Sequence, residues 1–202
     1  TAFRSVSGLG LGSLGIAPEV DFTPVQRRLQ TVGMGASKSF GRIVLEGEVA
    51  YTKGKYWGTS SDQKFGEERK NYIKHVLGIK TVFFGADLSL NFSQDIILDH
   101  IPEIQQDRIE NTASLFARRE MRYGSMIPQI LIISLLNRNE WLFRPKLEYK
   151  YSDKISLLYG VDIFSGAAAE RNEEGQLDPG RLNIFGYFDK DDRAYVEVKY
   201  SF

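Results

Sequence analysis

The chain has 202 residues, 42% hydrophobic and 12% aromatic, with 26 basic against 26 acidic side chains. That balance argues against a nucleic-acid partner, which a basic excess would mark. No apolar run approaches the ~18 residues of a membrane-crossing helix, so a helical membrane protein is excluded; a β-barrel is not, because its strands need only ~9–11 residues and alternate positions can be polar.

In chain order, Thr1–Ser7 reads as a short first strand and Gly8–Gln26 as a long connection. Within the latter, Gly8, Gly10 and Gly12 recur at every second position without a following helix or Lys-Ser/Thr, so they predict a flexible loop or a strand bend rather than a phosphate loop. Val32, Met34 and Ala36 then alternate with Thr31, Gly33, Gly35 and Ser37 up to a tight turn at Phe40-Gly41. The clearest alternation follows: Ile43, Leu45, Gly47, Val49 and Tyr51 oppose Glu46, Glu48 and Thr52. A long connection is expected over Gly54–Lys70, and after it Ile73, Leu77 and Ile79 oppose Lys74, Gly78 and Lys80. Past the turn Phe84-Gly85, Leu88, Leu90 and Phe92 oppose Ser89, Asn91 and Ser93, and a third long connection covers Gln94–Asn111.

Thr112–Met121 fits a strand or a short helix, and Ile130–Leu136, interrupted only by Ser134, is apolar on both faces. Between them lies the turn Tyr123-Gly124-Ser125, and after them a short link, Asn137–Glu140. Phe143, Pro145, Leu147, Tyr149 and Tyr151 then oppose Arg144, Lys146, Glu148 and Lys150. The turn Ser152-Asp153-Lys154 leads to Ile155, Leu157, Tyr159, Val161 and Ile163, opposed by Ser156, Gly160 and Asp162. A last long connection, Ser165–Asp192, precedes Ala194, Val196, Val198, Tyr200 and Phe202, opposed by Arg193, Glu197 and Lys199.

Period-two alternation marks a strand whose two faces meet different surroundings. Tight and long links also alternate, as the short periplasmic turns and long external loops of outer-membrane barrels do. We therefore expect one all-β domain over residues 1–202: an antiparallel up-and-down transmembrane β-barrel, or part of one, with about ten strands in this chain and long external loops at about 8–26, 54–70, 94–111 and 165–192. A soluble sandwich also alternates faces. Full charges on one face, and Tyr51, Tyr56, Trp57, Phe83, Phe84, Trp141, Tyr151 and Tyr200 near strand ends, favour lipid and its headgroup boundary. The lack of cysteine suits a chain that crosses an oxidising periplasm unfolded. A chain opening at Thr1, with neither initiator Met nor leader, is expected to have lost a leader or to continue a longer polypeptide.

The ending Tyr195-Val196-Glu197-Val198-Lys199-Tyr200-Ser201-Phe202 resembles the terminal β-signal of outer-membrane barrels. The wider stretch Phe185–Tyr195 resembles a Phe-Gly-x-Phe-Asp-x-Asn-Asp-Arg-x-Tyr ending, with Asp191 where the pattern has Asn. That ending belongs to a poorly characterised family of porin-like proteins broadly akin to alginate-export and substrate-selective porins. Gln26–Tyr51, with its core Leu-Glu-Gly-Glu-Val-Ala-Tyr, is similar to an internal strand pair of the same family. Its members are much longer than this chain, and the matching blocks belong to their C-terminal half. The resemblance thus implies the bacterial outer membrane as location, part of a larger barrel as structure, and small-solute passage as function. It also implies that the barrel-assembly machinery reads Tyr195, Val196, Val198, Tyr200 and Phe202 as an assembly signal.

Glu46, Glu48, Lys74, Lys80, Arg144, Lys146, Glu148, Lys150, Asp162, Arg193, Glu197 and Lys199 are expected to face the lumen. In a wide barrel such rows line a wet pore; in a narrow one they pair and plug it. His75, on the outward row, and His100 lack any metal-ligand spacing, and no cysteine assists them, so neither a metal nor another cofactor is expected. His100 with Asp95, Asp99 and Asp107 reads as an acidic solvated loop rather than an acid–base site, and no enzymatic activity is expected. Phe185, Tyr187 and Phe188 stand out as aromatic in an otherwise polar loop and are candidates to fold inward. The expected partners are the lipid bilayer, the assembly machinery, and a partner protein or further copies of the chain. The expected role is passive passage through a charged lumen; the alternative is a non-transport barrel acting as a scaffold or sheath for a partner protein.

Overall fold

A computed structural model describes residues 28–61, 64–167 and 184–202. The expected first strand at Thr1–Ser7 and the loop at 8–26 lie outside the described residues. Nine strands form a single antiparallel sheet in sequence order: β1 (Gln30–Phe40), β2 (Ile43–Ser61), β3 (Lys64–Phe83), β4 (Ala86–Ile97), β5 (Ile109–Arg119), β6 (Met126–Leu135), β7 (Glu140–Lys150), β8 (Ile155–Ser165) and β9 (Arg193–Tyr200). The one described helix, α1 (Ile184–Tyr187), precedes β9. Each strand pairs with its neighbours in the chain, as in an up-and-down meander. Among the described residues β1 and β9 do not pair with each other, so the sheet is not closed.

The tight turns fall where expected, between β1 and β2, β3 and β4, β5 and β6, and β7 and β8. At β3–β4 both turn residues take positive φ, Phe84 at 49° and Gly85 at 72°. That is the two-residue hairpin geometry whose twist matches the flanking strands, and it favours glycine. Thr112–Met121, readable as a helix, is strand through Arg119 in β5. The apolar stretch at Ile130–Leu136 lies in β6, which ends at Leu135.

The largest departure is in the expected loop 54–70. There β2 and β3 run on as a hairpin, with 19 and 20 residues respectively, paired as far as Ser61 and Lys64. The loop at 94–111 is likewise shorter, because β4 reaches Ile97 and β5 begins at Ile109. The β2–β3 ladder holds register from Ile43↔Thr81 to Thr52↔Tyr72, then resumes at Lys55↔Lys70, one residue longer on β2. This is a β-bulge, and Gly54 takes φ 72° in it. That positive φ is why glycine stands there, and the Arg69 guanidinium occupies the space that a Cβ would take.

Candidate functional site

Residues opposite one another in an antiparallel ladder point to the same face, so the registers settle which side chains share a surface. Glu46 lies opposite Ser37 and Gly78, Gly78 opposite Asn91, and Asn91 opposite Ser114. Following the ladders through to β9 places Glu46, Glu48, Lys74, Lys80, Arg144, Lys146, Glu148, Lys150, Asp162, Arg193, Glu197 and Lys199 on this one face. The other face carries Val32, Leu45, Val49, Ile73, Leu77, Leu90, Ile130, Phe143, Leu157 and Val196 in the same rows. His75 falls on this apolar face, in one row with Val49, Gln94 and Asn111. In that row Gln94 Nε2 donates to Asn111 Oδ1 at 2.7 Å.

The charged face is partly paired. Lys80 meets Glu46 at 2.7 Å and Lys74 meets Asp95 at 3.3 Å, each across the ladders joining β2, β3 and β4. On β7–β9 the side chain of Asp162 has 0% exposure and receives two arginines. Arg144 Nε donates to Oδ1 at 2.5 Å and Nη2 to Oδ2 at 3.2 Å, while Arg193 Nε donates to Oδ2 at 2.7 Å. Two guanidinium groups on one carboxylate leave a net positive charge at this point. Among the described residues Glu48, Lys146, Glu148, Lys150, Glu197 and Lys199 make no ion pair. The surface is therefore neither fully cross-linked nor fully free.

At the end bearing the longer connections, two segments fold onto this same face. Trp57, Tyr72, Ile97 and Ile104 form a buried cluster with Ile101 packed against it. Ile104, from the β4–β5 connection, bridges to Thr59, and Gln105 N–H donates to the Gly58 carbonyl at 3.2 Å. The Lys55 ammonium lies 4.0 Å from the Trp57 ring centre and 4.3 Å from that of Tyr72, a doubled cation–π contact. Trp57 is thus not a rim aromatic as expected; the bulge reverses the phase of β2 and turns it onto the polar face. His100 Nε2 donates to the Gln106 carbonyl at 2.8 Å, which braces the same connection.

The second segment is α1. Phe185 and Gly186 N–H donate to Glu140 Oε2 at 2.6 and 3.2 Å, and Glu140 is wholly buried. Phe185 and Phe188 pack on Phe164 with ring centres 6.3 and 5.5 Å away. The Phe164 N–H in turn donates to Asp192 Oδ1 at 2.9 Å. The aromatic run does fold onto the charged face. Sequence reasoning missed Glu140, Lys55 and Tyr72, and it gave no role to the ion pair of Arg138 with Glu110 at 2.5 Å, because each depends on the bulge in β2 or on contacts between segments distant in sequence.

On β9, Val196, Val198 and Tyr200 are 62%, 67% and 60% exposed on the apolar face, and Phe202 follows beyond the strand. Tyr195 points to the charged face, its ring over Gly160, where a Cβ would collide with it. Comparison with known proteins finds no matching family model, no matching curated protein and no matching solved structure.

Proposed function

We propose that this sheet is part of the wall of a bacterial outer-membrane β-barrel and that its polar face lines a conduit for passive passage of small solutes. The observation that carries this reading is the segregation of the faces: twelve ionisable side chains share one surface and an apolar row backs nearly every one of them. Dimensions support it. From Ile73 to Phe83 the outward row of β3 covers about 34 Å of strand, and at a tilt of ~40° it stands ~26 Å tall, close to the ~25 Å apolar band of such barrels. Phe40, Phe83, Phe84, Tyr151 and Tyr200 gather at the tight-turn end, where a headgroup girdle belongs.

On the charged face the Lys80 and Arg193 side chains are 51% and 64% exposed, which supports a wet surface. A wall of ~8 strands would pack its interior with side chains, whereas ~16–18 leave a water channel, so the reading requires further strands to close the wall. Within it, β9 presents Val196, Val198, Tyr200 and Phe202 as the edge that the assembly machinery engages. Planar-bilayer recording tests the proposal: purified protein is expected to give stable conductance steps. Silence together with a stoichiometric co-purifying protein would support the scaffold or sheath instead, and a protein that stays monomeric and soluble without detergent would overturn the wall itself.

A further inference from the structure

The outward apolar rows of β2 and β3 end at Tyr51 and Ile73, and the next outward positions are Lys53 and Asn71. One step past the apolar band, at the bulge, lies a cavity of about 250 Å³ lined by Lys53, Gly54, Arg69, Lys70, Asn71 and Asp99. The bulge builds it. Gly54 N–H donates to Asn71 Oδ1 at 3.1 Å, and the Gly54 carbonyl accepts from Arg69 Nε at 3.3 Å. That bond occupies one of the five guanidinium donors of Arg69, whose carbon sits 5.8 Å from the centre of the Tyr56 ring. Lys53 and Arg69 outnumber the carboxylate of Asp99, whereas the Lys70 ammonium turns to the charged face, 3.9 Å from Glu68.

We infer that this cavity holds the phosphate of a lipid headgroup, with the acyl chains running down past Tyr51 and Ile73. The assignment rests on the wall reading above, which puts this level at headgroup depth. Arginine and lysine at one point give a phosphate charge-assisted hydrogen bonds, and basic pockets at membrane interfaces attract anionic headgroups for that reason. The cavity also sits directly above apolar side chains, so one molecule can satisfy both the cationic site and the greasy row below it. A free anion could use only the first.

The test uses the whole chain in a neutral detergent, with native mass spectrometry to count retained phosphatidic acid and phosphatidylcholine of matched chain length. The wild type is expected to retain phosphatidic acid about tenfold or more over phosphatidylcholine, K53A/R69A to lose that preference, and R122A, at the tight-turn end, to keep it. Circular dichroism checks that each variant remains β-sheet. Equal retention of the two lipids by the wild type, or an undiminished preference in K53A/R69A, overturns the site, as does equally strong binding of glycerol phosphate, which has no chains. A protein that needs detergent yet is indifferent to headgroup keeps the wall and loses the site; one that is soluble without detergent loses the wall first.

Discussion

A carboxylate withdrawn from water is costly unless donors replace its hydration. Asp162 and Glu140, both 0% exposed, meet that demand to different degrees, since Glu140 Oε1 has no partner among the described residues. Asp162 takes two guanidinium groups, and Arg193, being 64% exposed, can swing back into solvent when the carboxylate is lost. Asp162→Asn is therefore expected to cost only ~1–2 kcal/mol, read by denaturant unfolding in micelles. Its larger effect is on charge: with the negative group removed between two cations, the reversal potential in a salt gradient should move toward anion preference. An unmoved reversal potential would mean that Asp162 does not face the conducting path. Glu140 instead accepts two backbone N–H groups of α1. Glu140→Ala leaves both without a partner, a loss of ~1–3 kcal/mol, so amide exchange at Phe185 and Gly186 should accelerate by about tenfold or more, with Glu140→Gln in between. Unchanged exchange would show that the ring contacts with Phe164 alone hold α1 in place.

Among the elements, the β2–β3 hairpin shows what alternation can and cannot reveal. Up to Tyr51 the strand has lipid-like side chains on one side and charge on the other, and the period-two pattern was legible along Ile43–Tyr51. Past Thr52 the aromatic pair Tyr56-Trp57 stands among polar and small residues without alternation, so the same backbone geometry leaves no period-two trace in the sequence, and Lys53-Gly54 reads as the start of a loop. The bulge was hidden for the same reason: a single extra residue matters only once the register is known. Its effect is measurable, because the chain has two tryptophans. Trp57 lies buried on the charged face and Trp141 on the apolar one, 38% exposed. With single-tryptophan variants in brominated-lipid vesicles, Trp141 should be quenched strongly and Trp57 hardly at all. Quenching of Trp57 to a similar extent would contradict the phase reversal. The twelve charged residues were legible as one face from spacing alone, whereas their pairing was not, since Arg144, Asp162 and Arg193 come from three strands whose mutual register no local pattern encodes.

At the scale of the whole molecule, two of the described segments fold onto the charged face at the end bearing the longer connections. The β4–β5 connection does so with aliphatic and aromatic packing around Trp57, and α1 does so from β7 and β8. The described sheet has nine strands, and nine is an odd number. Successive neighbours run in opposite directions, so β1 and β9 travel the same way, and both rims of the sheet present chains of one polarity. A second identical sheet, turned about a shared axis, would meet this one at two parallel seams. A tube that is antiparallel all the way round, with the even count usual for bacterial single-chain barrels, instead needs an odd complement of strands to complete its circumference.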